Sequence, residues 1–342
     1  MTVGNAVGDK QYFVEMIDEV RSKLARLAAD SPIKRCFPQS RLDAIRAKME
    51  ANTAEALEWA RWQPLFLFLR NSGDAAIQAF DDDLRLVECR STTNNSKIFE
   101  FLKSDSEDTQ PWAGGIFEVY VKAAALRSTE VSNASLDWGL PNGRRPDLKV
   151  DFGARSICIE CTSLGESRAS DERWGQHIES VQTNCDETFF ERQDAYTQSR
   201  RIYAKVFDKI APQLDANRSQ LNTDGPNVLL ISLNAVTSYL AARSPAVGWA
   251  LDELFATQPN GNDSPASLCE WLLRQRKQAQ QPQPSMDDLL KALSRLSGII
   301  VFDGCKLGAA RINYNAGAVQ RIAHAEMAIF EHLLSVPPLY AQ

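Results

Sequence analysis

Histidine is almost missing from this chain, with three in 342 residues at positions 177, 324 and 332. So few imidazoles leave little material for a Ser/His/Asp hydrolase or a multi-histidine metal site. The sequence has no GxSxG, HExxH, GxGxxG or GxxxxGK, so it lacks the local geometry of a nucleophile elbow, a zincin helix, a dinucleotide fold or a phosphate-binding motor loop. Its densest apolar run, Pro64 to Leu69, is far short of the roughly 20 residues a membrane helix needs. The first 30 residues lack an export signal's apolar stretch, being interrupted by Asp9, Lys10, Glu15, Asp18 and Glu19. Seven cysteines, an odd number scattered from Cys36 to Cys305, fit reduced thiols better than a disulfide scaffold. The expectation is a cytoplasmic protein with no membrane partner. Basic residues are outnumbered, 38 Lys plus Arg against 44 Asp plus Glu, for a net charge of −6. That argues against coating nucleic acid by bulk charge and leaves room for a local basic groove.

What is present is an ordinary globular composition, 44% hydrophobic, long enough for about two domains at about 150 residues each. Phe13, Met16, Ile17, Val20, Leu24 and Leu27 recur at steps of three and four, one stripe of a helix over 11–27. Ser31-Pro32 and Phe37-Pro38 break it, and a second helix is predicted over 41–62 with Leu42, Ile45 and Met49 on one face. An apolar segment then runs from Pro64 to the Asn71-Ser72-Gly73 break. After Pro111 the character changes to a helix over 114–126, a weak strand over 133–138, a hairpin over 146–162 and a helix over 186–211. Strands follow at 227–233 and 298–302, and a helix at 319–334. The organisation read from this is a helical N-terminal region over 1–110 and an α/β core with a mixed sheet over 111–316. The core carries a helical insertion at about 236–295, and a C-terminal helix occupies 317–342.

The hairpin carries the chemistry. A tight turn at Gly153-Ala154 pairs Phe152 with Arg155 and, continuing along the strands, Lys149 with Cys158, Asp147 with Glu160 and Arg145 with Thr162. Leu148, Val150, Phe152, Ile157, Ile159 and Cys161 fall on the opposite face. Two carboxylates opposed at about 5 Å between Cβ atoms repel. Either a divalent cation sits between them, or the face is solvated and Lys149 and Arg145 neutralise Asp147, Asp151 and Glu160.

Pro146-Asp147, followed thirteen positions on by Glu160-Cys161-Thr162 and preceded by Glu118 within Gly115 to Tyr120, resembles the PD-(D/E)xK nuclease superfamily, whose fold is restriction-endonuclease-like. The basic helix around Lys205 and Lys209 and the two later strands extend the resemblance over roughly 200 residues. It implies a Mg²⁺-dependent (or Mn²⁺-dependent) endonuclease or other phosphodiester hydrolase, DNA binding, and metal ligands at Asp147, Glu160 and Glu118. Hard carboxylate oxygens suit Mg²⁺. The departure is Thr162, which stands where the family has lysine. Lys149, Arg145 and Lys122 are candidate substitutes, and Lys149, on the face of Asp147, is preferred. Arg145 with Arg201, Lys205 and Lys209, the last three at a four-residue helical step, are the candidate nucleic-acid contacts. The alternatives are an inactive nuclease-like protein that still binds nucleic acid, or a structural α/β protein with a solvated hairpin. The N-terminal region could serve a homodimer or a protein partner.

Other signals lead elsewhere. Cys158 and Cys161 have CxxC spacing, but residues three apart in a strand point to opposite faces. His324-Ala325-Glu326 lacks the PCxxC that a zinc deaminase would add. Asp81-Asp82-Asp83 reads as a solvated turn.

Overall fold

The computed structural model describes residues 3–51, 63–91, 99–103, 110–136, 138–140, 145–165, 221–234, 254–255, 285–303, 306–315, 317–323, 326, 330–332, 334–336 and 338–341, together with 202, 205, 206 and 209. The chain divides into two compact units, Met1–Ala123 with Pro337–Gln342, and Ala124–Val336.

In the first unit, α1 (Val3–Arg26) buries the stripe read from its spacing, Phe13, Ile17 and Val20 fully. Ser31 caps α2 (Pro32–Cys36), its hydroxyl accepting from the Lys34 N–H, with proline in the first turn where no amide partner is needed. Leu42, Ile45 and Met49 are buried on α3 (Gln39–Ala51). Helix α4 (Pro64–Asn71) is followed directly by α5 (Asp74–Arg90), and a 3-10 turn spans Glu100–Lys103 before α6 (Gln110–Arg127). The core is aromatic where α4, α5 and α6 converge, with Phe80 packing on Phe68, Trp112 and Tyr340 at centroid distances of 5.3, 6.1 and 4.8 Å. A Cβ at Gly115 would collide with the Phe101 ring, so glycine is what allows that close approach.

One expectation fails here. Asp81, Asp82 and Asp83 lie inside α5, and Asp81 and Asp83 are buried. Asp81 Oδ1 accepts from Ser31 Oγ at 2.5 Å and from the Ile33 N–H at 3.3 Å, while Oδ2 accepts from Arg85 Nε at 3.0 Å. Tyr340 donates to Asp83 at 2.5 Å. These acids hold the helices together from within.

The second unit is built on one six-stranded sheet in the order β1-β2-β3-β4-β5-β6: Asn133–Ser135, Leu148–Phe152, Arg155–Gly165, Asn227–Asn234, Gly298–Asp303 and Lys306–Tyr314. β1, β2 and β3 run antiparallel, β3, β4 and β5 parallel, and β6 returns antiparallel to β5. The sheet is therefore mixed and the class α/β, as the sequence suggests. Gly153, at φ 60°, supplies the left-handed residue of a two-residue turn. The hairpin pairs Phe152 with Arg155 and Leu148 with Ile159, the register read from the sequence.

β4 and β5 read as continuous apolar runs because both their faces are covered. On one face Leu229, Ile231, Ile299 and Val301 pack with Ile202 and Val206 and with Leu289 and Leu293 of α7 (Met286–Leu293). The strand ends are pinned by Asn227, whose buried amide donates to the carbonyls of Asn222, Gly225 and Arg295.

Further expectations need correction. β1 is shorter than 133–138 and β2 begins at Leu148 rather than Pro146, so Arg145 lies outside the ladder and exposed, not opposite Thr162 in a strand pair. β6 was not anticipated. Val319 to Ala323 are not helical; among the described residues that follow, Glu326 and Phe330 to His332 are. The polar face of the hairpin is not solvated along β3 either, since Cys158, Glu160 and Thr162 are all buried. Their partners in β4 include Leu229 and Ile231, members of the apolar face under Ile202 and Val206. Among the described residues no helix is long and apolar enough to cross a membrane.

Candidate functional site

Asp147 immediately precedes β2, and Glu160 stands in the middle of β3. The backbone N–H of Cys161 donates to Asp147 Oδ2 at 2.8 Å, which fixes the aspartate against the strand beside Glu160. Glu160 is 4% exposed, and neither of its oxygens has a hydrogen-bond partner among the described residues. A buried carboxylate ordinarily collects donors, because desolvating it without them costs several kcal/mol (about 3–5). Here its charge is met by Lys209, whose Nζ lies 3.6 Å from Oε2.

These surroundings leave Glu160 reluctant to ionise. Burial, first, and then the neighbouring charge of Asp147 push its pKa well above the usual carboxylate range, with Lys209 pulling the other way. Cys158, on the same sheet face, is pushed up to about 12, mainly by burial. It is an inert thiol.

Lys149, expected to serve Asp147 and Glu160, is otherwise engaged. Its Nζ pairs with Asp151 at 3.2 Å and lies 4.9 Å from the centroid of the Trp138 ring. Burial works against ionised Asp151, but hydrogen bonds from Ser156, Asn133 and Lys149 hold its pKa below the ordinary value. Glu118 belongs to the first unit and pairs along α6 with the buried Lys122. Thr162 is buried on the face of Glu160. Lys205 is helical and half-buried, and Arg201 lies outside the described residues.

The structure thus brings together Asp147, Glu160 and Lys209, with Thr162 next along the face. Lys209 was read as a phosphate-tracking surface charge. Its position against Glu160 could have been sought in its four-residue helical spacing from Lys205, though only the packing of Ile202 and Val206 onto β4 turns that part of the chain toward β3. No group of three or more His, Cys, Asp or Glu side chains forms a metal cage among the described residues. Two carboxylates, one without donors, nonetheless suit a hard cation that keeps most of its waters.

No protein-family model, curated protein or solved structure matches the chain.

Proposed function

We propose that the protein is a divalent-metal-dependent nuclease of the PD-(D/E)xK kind, hydrolysing phosphodiester bonds, with DNA the substrate the resemblance favours. The observation that carries this reading is the donorless, buried carboxylate of Glu160 beside Asp147. Element order supports it: helix α6, the antiparallel β1-β2-β3, helical residues at 202–209, then β4 parallel to β3.

Asp147 and Glu160 would hold Mg²⁺ or Mn²⁺. An ion held by these two carboxylates would supply a water of lowered pKa and charge to offset that on the leaving oxygen. Cys161 N–H fixes one oxygen of Asp147. Lys209 takes the part of the lysine that Thr162 replaces: its ammonium keeps Glu160 compatible with the ionised form and places positive charge where a phosphoryl oxygen would accumulate negative charge. The Thr162 hydroxyl can orient water but adds no charge.

The test is cleavage of plasmid DNA, linear DNA and RNA with Mg²⁺ or Mn²⁺ by the full chain, with Asp147→Asn and Glu160→Gln made alongside. Metal-dependent cleavage that both substitutions abolish supports the proposal. Wild-type protein that binds metal but cleaves nothing overturns it. Retained nucleic-acid binding without cleavage would favour the inactive-nuclease alternative, which Thr162 in the lysine position also suits.

A further inference from the structure

A cavity of about 320 Å³ opens beside the β2–β3 turn, lined in part by Trp138, Lys149, Arg155, Asn222, Asp224 and Gln320. Its lining residues Lys149 and Ser156 fall on the sheet face of Glu160, since Ser156, Cys158 (the partner of Lys149) and Glu160 alternate in phase along β3. Ser156, the lining residue of β3 on that face, stands four residues from Glu160, about 13.6 Å along the strand.

We infer that this cavity is a nucleobase subsite, taking one unpaired base of a strand whose phosphodiester lies at Asp147 and Glu160. The placement of the strand rests on the nuclease reading; the affinity of the cavity for a base does not.

The chemistry of the lining selects a planar polar ring over a bare anion. Both cations are already committed, Lys149 to Asp151 and Arg155 to Glu326 at 2.9 Å and to the Arg321 carbonyl at 2.8 Å. The carboxylate of Asp224 adds negative charge to the wall. A lone phosphate would therefore gain little. What the lining offers instead is the Trp138 indole, one face of which already carries Lys149 Nζ at 4.9 Å from the centroid, and the Gln320 side-chain amide. An aromatic face with a donor, an amide that both donates and accepts, and an acceptor carboxylate is the set that stacks a base and reads its edge. The volume falls at the small end of ligand pockets, about 300–1,000 Å³, which fits one nucleotide and excludes a duplex.

The experiment titrates the full chain with each of the four deoxynucleoside monophosphates and, separately, inorganic phosphate, by calorimetry in the presence of EDTA. At least one nucleotide is expected to bind where phosphate does not. Trp138→Ala should weaken that binding about tenfold or more, Trp138→Phe should restore most of it, and Gln320→Ala should weaken it severalfold if the alanine variant at 138 fails to fold. No nucleotide binding at millimolar concentration, phosphate binding as well as the nucleotides, or indifference to both Trp138→Ala and Gln320→Ala would each overturn the subsite. Trp138-dependent nucleotide binding in a protein that cleaves nothing keeps the subsite and sinks the nuclease reading; cleavage without such binding does the reverse.

Discussion

Lys209 Nζ lies 3.6 Å from Glu160 Oε2, so the cation paired with the buried carboxylate comes from a helical residue and not from the strand pair. The strand's own lysine, Lys149, faces Asp151 and Trp138. If Lys209 supplies charge to the reacting phosphate, Lys209→Ala should lower kcat by about 10²–10³-fold, the size seen when one preorganised donor is removed. Lys209→Arg should recover part of the loss, and Lys149→Ala should leave kcat within a factor of a few. Single-turnover cleavage across these variants decides it. A larger kcat loss from Lys149→Ala than from Lys209→Ala would return the role to the strand.

Glu160 also ties stability to pH. Its pKa in the folded protein is raised, by burial first and by Asp147 second, while the unfolded chain titrates in the ordinary carboxylate range. The favourable contribution of the neutral acid is therefore complete below that range and lost as pH rises through the raised value. Glutamine keeps the shape and cannot ionise. In EDTA, Glu160→Gln should be more stable than wild type at about pH 8, by about 1–3 kcal/mol, the cost of an unsatisfied buried group, with the gap closing toward about pH 5. Urea unfolding at the two pH values measures it. Parallel stability curves would mean that the charge is already satisfied.

A cation that neutralises the pair should stabilise the folded state by mass action. At a metal concentration about a hundredfold above Kd the gain is about 2.7 kcal/mol, visible as a rise in Tm with Mn²⁺ or Mg²⁺. Asp147→Asn and Glu160→Gln should both flatten the response, and acidification should shrink it, because the metal must displace the proton that raised Glu160 retains. An equal Tm rise in wild type and both variants would place the metal elsewhere.

The hairpin register was legible because alternation in 146–162 and one glycine at the turn specify it locally, and the α1 stripe was legible for the same kind of reason. The burial of Glu160 was not, since it depends on Ile202 and Val206 packing over β4, a contact across sequence that no local period records. Alternation placed Lys149 on the correct face but could not say which way a four-carbon stem bends; Trp138 and Asp151 decide that. β6 was obscured by Gly308, Ala309 and Ala310, poor strand formers, although Asp303-Gly304 before it is a hairpin signal. The strand exists because β5 offers it a pairing edge.

Asp81 shows the same limit in the helical unit, where three consecutive aspartates suggested a turn although Ile77, Phe80, Leu84 and Val87 keep helical spacing through them. Its partners, Ser31 and Ile33, lie some fifty positions earlier, so the local sequence gives no sign that the carboxylate is a cap for α2. Asp81→Ala would leave the Ser31 hydroxyl, the Ile33 N–H and Arg85 Nε without this acceptor. The expected cost is about 1–3 kcal/mol for the unsatisfied groups, whereas Asp82→Ala, on the exposed side of the same helix, should cost less than about 0.5 kcal/mol. Asp81→Asn keeps one acceptor oxygen and should fall between the two. Chemical denaturation of the three variants measures the order, and equal losses at 81 and 82 would show that the buried acid does not hold α2 in place.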